Sequence, residues 1–299
     1  MPKKQKEILT QIGLHVFLIL ILLVVMFPIV WIVSLAIDPR NIDKPLELTL
    51  IPPGASLASF RRVLLEPWGL LCRNPNDPSS CMTFLLLLKN SLIVALGTSL
   101  IAVLLGASAA YAFSRFNFVG RQAGMLAFIV LLMLPASATL APLFVLLSQV
   151  RIGDESLRLT LVGLMLAYGS GTLPFAIWNL KGYFDTVPRE LEEAARIDGA
   201  SMAQTFLRII LPLSVPAIAV TVLFAFMQGW TEFILAWTFL ENPSRFTLAM
   251  ALRSMQGQFA TPWSDFAAMS ILMSIPIVLL FFALQRYLVS GLTVGGVKG

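Results

Sequence analysis

NSLIVALGTSLIAVLLGASAAYAFS, residues 90–114, contains no charged side chain. At 1.5 Å per residue a helix of this length crosses the roughly 30 Å of hydrocarbon in a lipid bilayer. Residues 8–37, 122–150, 159–180, 209–231 and 266–285 are further stretches of the same kind. Hydrocarbon offers no water to backbone N–H and C=O groups, so isolated runs of this length read as helices rather than strands. The sequence therefore predicts an all-α membrane protein with six transmembrane helices, at about 13–37, 88–114, 122–149, 159–180, 209–240 and 266–287.

Composition agrees. Hydrophobic residues make up 58% of the chain and charged residues 12%, the latter about half the soluble norm. The 18 prolines and 19 glycines form no Pro/Gly-rich linker, so residues 1–299 read as a single transmembrane domain. A net charge of +5 raises the question of nucleic acid, but the basic residues lie at span borders without a basic-aromatic surface motif. That placement is the signature of membrane topology, and no nucleic-acid partner is expected.

Lys3, Lys4 and Lys6 precede the first span, which lacks a small-residue cleavage site and is expected to be retained. With the N-terminus in the cytoplasm, Arg115, Arg121, Lys181, Arg189, Arg196, Arg208, Arg286 and Lys298 fall on the same side. An even number of spans returns the C-terminus there. Residues 38–87, 151–158 and 241–265 then face outward. The first of these loops holds both cysteines, Cys72 and Cys81, around a turn-rich run. On the oxidising side they are placed to close a small disulfide loop; the alternative is two unrelated free thiols. Neither has the Cys/His company of a metal site or the His and Asn expected beside a nucleophile.

One polar insert interrupts the apolar pattern, a helical hairpin over residues 185–208. Thr186-Val187-Pro188 is a helix start, and Glu190, Glu192 and Glu193 complement the helix dipole in the first turn. Gly199 after Asp198 closes that helix in the left-handed conformation. Ser201 and Gln204 have capping-box spacing for a second short helix, which feeds into Ile209 and Pro212 near the start of the fifth span. Ala194 and Ala195 leave room for a closely packed partner, with the glutamates and Arg196 at its rim. An ordinary amphipathic interfacial hairpin is the plainer reading of the same geometry.

The pattern Glu193-Ala194-Ala195-x3-Gly199-x9-Ile209-x-Leu211-Pro212 resembles the coupling motif in permease subunits of bacterial ABC importers. Trp178-Asn179-Leu180-Lys181-Gly182-Tyr183-Phe184, Trp263-Ser264-Asp265-Phe266 and the tail from Gly291 to Gly299 are similar to the carbohydrate-uptake branch, its maltose/maltodextrin members above all. The resemblance implies an ABC importer permease fold with a cytoplasmic coupling helix. It implies that Glu193, Ala194, Ala195, Asp198 and Gly199 dock into a cytoplasmic ATPase, with Ile209, Leu211 and Pro212 joining them to the bundle. It implies that Gly295, Gly296, Val297, Lys298 and Gly299 reach between two ATPase subunits, where the plain alternative is an unstructured chain end. The loop Ser254, Met255, Gln256, Gly257 and Gln258 resembles one that probes an extracytoplasmic sugar-binding protein. A second homologous permease completes the implied assembly, which moves maltose/maltodextrin-type oligosaccharides, or another sugar, polyol or glycerol-phosphate solute, by alternating access. No Gly-x4-Gly-Lys-Ser/Thr sequence occurs, so this chain is expected to bind no cofactor and not to be an enzyme, with ATP and Mg on the partner ATPases.

Within the spans, Glu232 is a gate candidate, and a structural hydrogen bond is the equal alternative. Gly106-Ala107-Ser108-Ala109-Ala110 offers a close helix approach, and Pro135, Pro174 and Pro276 are positioned to bend their helices. His15, the sole histidine, reads as an interfacial residue. A membrane enzyme would need clustered catalytic groups at one depth, which the spans lack. A channel or ion-coupled carrier would leave the hairpin motif without a role.

Overall fold

A computed structural model describes residues 3–41, 49–66, 68–72, 81–257 and 261–294. From the N-terminus, α1 (Lys3–Ala36) leads to α2 (Ala58–Leu65) and to a ribbon of β1 (Trp68–Cys72) with β2 (Cys81–Met82). Next come α3 (Phe84–Arg115), α4 (Arg121–Met133), α5 (Leu140–Gln149), an antiparallel turn of β3 (Arg151–Ile152) and β4 (Glu155–Ser156), and α6 (Leu161–Phe184). Helices α7 (Glu190–Ile197) and α8 (Met202–Thr205) form the hairpin. A π turn (Phe206–Ile210) and the single turn α9 (Leu211–Leu213) carry the chain into α10 (Val215–Thr231). The elements α11 (Ile234–Phe239), α12 (Leu248–Ser254) and α13 (Trp263–Val294) follow.

By internal packing the chain divides into two compact units: Met1–Trp68 with Ser254–Ser274, and Gly69–Arg253 with Ile275–Gly299. The boundaries fall inside β1, at the end of α12 and inside α13, so no change of composition marks them.

In the first unit, residues 10–30 of α1 are exposed along their whole length, whereas Ser34 and Ala36 near its end are buried. The start of α13 is secured by Asn41, whose Oδ1 accepts the N–H groups of Ser264 (3.0 Å) and Asp265 (3.4 Å). Asp265 in turn accepts from Arg62 Nη2 of α2 at 2.6 Å and from Asn41 Nδ2 at 3.1 Å.

In the second unit, α3, α6 and α10 pack together. The buried face of α3 carries Asn90, Ser91, Ala95, Thr98, Ser99, Ala102, Gly106 and Ala110, whereas Leu85, Leu96, Leu100, Leu104 and Leu105 point outward. Lipid is as apolar as leucine, so what drives helices together in a membrane is close backbone approach and shared hydrogen bonds. Both are present. A Cβ on Gly106 would lie 2.8 Å from the Ala176 side chain, and one on Gly229 would lie 2.9 Å from Ala95 Cα. Asn179 Nδ2 of α6 donates to Ala217 O (2.9 Å) and Thr221 Oγ1 (3.0 Å) of α10. At the N-terminal end of α3, Asn90 Nδ2 donates to the carbonyls of Ser244 and Phe246, both at 2.9 Å.

Among the described residues, four stretches are single helices long and apolar enough to cross a membrane: Thr10–Ala36, Phe84–Arg115, Leu161–Phe184 and Trp263–Leu288. The third and fifth apolar stretches, expected as single helices, are bent helix pairs that are long and apolar enough to cross only when each pair is taken together. Between α4 and α5 the direction changes by 104°. Pro135 lacks an N–H and drives Leu134 into extended backbone (ψ 136°), which ends α4. The chain bends by 78° between Met202–Leu213 and Val215–Thr231. There Pro216 leaves the carbonyl one turn earlier without its helical donor. Helix α10 ends at Thr231, where the expected span runs on to residue 240. Pro174 and Pro276, in contrast, sit inside helices that continue through them.

Candidate coupling site

Local chemistry shapes the hairpin as its sequence predicts. α7 ends at Gly199, whose φ of +84° lies in the left-handed region. The Ala200 N–H donates to Ala195 O (2.9 Å) and the Gly199 N–H to Arg196 O (3.0 Å), the paired bonds of a Schellman closure. Ser201 Oγ accepts from the Gln204 N–H at 3.3 Å, and Gln204 Oε1 accepts from the Ser201 N–H at 2.8 Å, a complete capping box.

The inward face of α7 is anchored to the C-terminal end of α3. Glu192, 4% exposed, accepts from Tyr111 Oη at 2.7 Å and is ion-paired with Arg115 Nε. Arg115 Nη2 donates to Val187 O at 3.0 Å. At the start of the hairpin, Asp185 accepts from Ser114 Oγ (2.6 Å) and Lys181 Nζ (2.5 Å). Burial pushes the Asp185 carboxyl up, but the bonds from Lys181 and Ser114 outweigh it and hold the group below the usual carboxylate value. Beneath this polar layer Tyr111, Phe184, Val187 and Ile210 form an apolar cluster with Phe206 and Leu211 packed against it.

The outward face presents Glu193, Ala194, Asp198 and Gly199 to solvent, together with Leu191, Met202 and Ile197, the last 87% exposed. The expectation for Ala195 is corrected here. It is 7% exposed, packed within the chain, because it lies three residues after Glu192 on the same inward stripe. Glu192 is likewise no rim residue. Of the three linking positions, Ile209 and Leu211 are half-buried and Pro212 is exposed, while Ile210 is the fully buried one.

Sequence reasoning missed Tyr111, Arg115, Ser114 and Asp185. A signal existed: Tyr111 and Arg115 lie one turn apart at the end of a span, where a polar face has no partner in lipid.

The remaining site residues lie elsewhere. The Glu232 carboxylate accepts the N–H groups of Ile234 (2.7 Å) and Leu235 (3.1 Å), so it caps α11 where α10 ends. Its backbone carbonyl accepts from Tyr168 Oη at 3.2 Å. Ser254 ends α12, Met255 is buried at 7% exposure, and Gln256 and Gly257 are exposed. Met255 is therefore not available at the surface as the loop reading expects. Cys81 is disulfide-bonded, and Cys72 is the only other cysteine in the sequence. Gln258 and Gly295–Gly299 lie outside the described residues.

Long apolar helices, two bent helix pairs and a hairpin anchored on its inward face define a polytopic membrane protein. The chain belongs to the family of binding-protein-dependent transport system inner membrane components, whose model matches residues 102–294. It is thus a multi-pass bacterial inner-membrane protein of the ABC permease type. It is 34% identical over 301 residues to the maltose/maltodextrin transport system permease protein MalG of Yersinia pestis, covering 100% of this chain and 96% of that protein. To the maltodextrin transport system permease protein MdxG of Bacillus subtilis it is 40% identical over 215 residues, or 71% of this chain and 74% of that one. A solved bacterial ABC transporter involved in import of the acidic polysaccharide alginate superposes with a TM-score of 0.71 at 20% identity, over 94% of this chain and 97% of that chain. That likeness establishes the ABC importer permease fold.

Proposed function

We propose that this chain is one transmembrane subunit of an ATP-driven importer for maltose/maltodextrin-type oligosaccharides across the cytoplasmic membrane. The observation that carries the reading is the hairpin, which shows outward a face of Glu193, Ala194, Asp198 and Gly199 with no partner atom within 4 Å of a Cβ built at Gly199. An exposed helix face that sets Ala194 and Gly199 beside Leu191, Ile197 and Met202 fits docking in a cleft, here that of an ATPase subunit. The partners are a MalF-like second permease, two MalK-like ATPases holding ATP and Mg, and an extracytoplasmic sugar-binding protein. This chain supplies no catalytic group. The hairpin and both termini face the cytoplasm, in keeping with Lys3, Lys4 and Lys6 and with Arg115, Arg121 and Arg208 on that side. ATP-driven approach of the two ATPases moves the hairpins and opens the permease pair alternately to each side. The full-length likeness to maltose/maltodextrin permeases supports the substrate class.

The test is purification of the tagged chain from native membranes in mild detergent. A second permease, two ATPase copies and ATP hydrolysis stimulated by maltodextrin-loaded binding protein are expected. Recovery of the intact chain without any ATPase, with uptake that continues in cells lacking ATP, would overturn the proposal.

A further inference from the structure

We infer that the buried Arg115–Glu192 pair is a strut that delivers displacement of the hairpin to α3, making both positioning residues for transport. The inference rests on the proposed coupling role and names the path inside the chain. The covalent route from α7 to α10 is compliant. It passes the left-handed turn at Gly199, the π turn Phe206–Ile210 and the 78° bend at Ser214. The backbone changes direction at the first and last of these, and the π turn replaces the α ladder with wider i→i+5 bonds, so the path is not one continuous α-helix.

The route to α3 has no such break. Glu192 and Arg115 side chains are 5% and 7% exposed and directly ion-paired. Tyr111 Oη holds the second carboxylate oxygen at 2.7 Å, and Arg115 Nη2 holds Val187 O, just ahead of α7, at 3.0 Å. Both ends of the carboxylate and two edges of the guanidinium are therefore engaged, which fixes orientation as well as distance. A pair this buried resists separation, because either partner alone would be an uncompensated charge out of water. From Arg115, α3 runs 32 residues as one unbroken helix. Gly106 places it against Ala176 of α6, and Ala95 places it against Gly229 of α10, at distances that leave no room for a methyl group. Close-packed helices shift together. None of Tyr111, Arg115 or Glu192 lies on the outward face, so docking and transmission are separable.

The experiment uses the complete reconstituted complex: both permeases, two ATPases, binding protein and maltodextrin in proteoliposomes. Three changes are compared with wild type: Glu192→Gln, Tyr111→Phe, and the charge exchange Arg115→Glu with Glu192→Arg. Subunit stoichiometry, ATP hydrolysis and solute moved per ATP are measured. The Glu192→Gln complex is expected to keep both ATPase copies and to hydrolyse ATP, while solute per ATP falls about tenfold. Tyr111→Phe should lower it about threefold, and the exchange should recover part of the loss. An assembled Glu192→Gln complex with the wild-type ratio would overturn the strut. So would loss of the ATPases from that complex, since the pair would then serve to build the docking face. Failure of the wild-type chain to bring down ATPases would instead remove the coupling role itself.

Discussion

Substitution of Gly199 separates the conformational demand of the hairpin from the demand of a docked partner. The residue sits at φ +84°, and among the described residues no atom beyond its own chain neighbours lies within 4 Å of a Cβ built there. The cost to the chain itself is therefore conformational only. An L residue in the left-handed region costs about 1–2 kcal/mol, and asparagine or aspartate, which visit it most readily, costs less. A new carboxylate at Gly199 also faces the negative end of the α7 dipole, which adds about 0.3–1 kcal/mol. On folding grounds the expected order of tolerance is thus Asn, then Asp, then Ala. A partner packed on the outward face imposes another order: Ala, the smallest, then Asn, then Asp. Each variant should accumulate in membranes near wild-type amounts, because the cost is a small part of the stability of a chain this size. Maltodextrin uptake and binding-protein-stimulated ATP hydrolysis report the second order. Gly199→Ala should retain most of the transport, and Gly199→Asp should lose it by at least about tenfold, equivalent to 1.4 kcal/mol. Uptake that ranks Asn above Ala, or a Gly199→Asp protein with wild-type coupling, would refute a docked face at this turn.

Gly163→Ala should destabilise the chain by about 1–3 kcal/mol, because its Cβ would lie 2.0 Å from Leu157 O and the capping turn must open. Thermal unfolding in one detergent checks this, and an unchanged midpoint would count against the packing at that turn. Asp185 has a folded pKa below its ordinary 3.8. Its contribution to stability is complete above that value and is lost as pH falls through the lower folded one. Pepsin cleavage of the hairpin, followed between about pH 5 and pH 2, should begin only below the ordinary carboxylate range; opening at the upper end would contradict the Ser114–Asp185–Lys181 anchor. Reduction should raise the intact mass by two hydrogens and leave the hairpin's amide exchange unaltered. A mass that does not change on reduction would show that Cys81 is not bonded.

Much of the architecture was legible because its causes are linear. Hydrocarbon thickness sets the length of an uncharged run, so apolar stretches such as residues 90–114 announce membrane helices whatever they pack against. The hairpin's caps are equally local: Ser201 with Gln204, and Gly199 after Asp198, act within a few residues. The hairpin pattern itself pointed to coupling before any coordinates. The exposed and buried halves of α7 were not legible, since Glu193 and Ala194 differ from Glu192 and Ala195 only in rotation about the helix axis. What turns that rotation is Arg115 and Tyr111, more than seventy residues earlier. The break at Glu232 was hidden for a related reason: the sequence offered both a gate and a structural hydrogen bond, and only the structure shows the Ile234 and Leu235 N–H groups that its carboxylate accepts.

By itself, then, the sequence determined the membrane class, the crossings and the hairpin that marks the family, all consequences of solvent and short-range hydrogen bonding. Only the tertiary structure decided which hairpin face is free, where the third and fifth crossings bend, and that α3 carries the anchor. Those features depend on pairings between distant residues, whose energies no local pattern records.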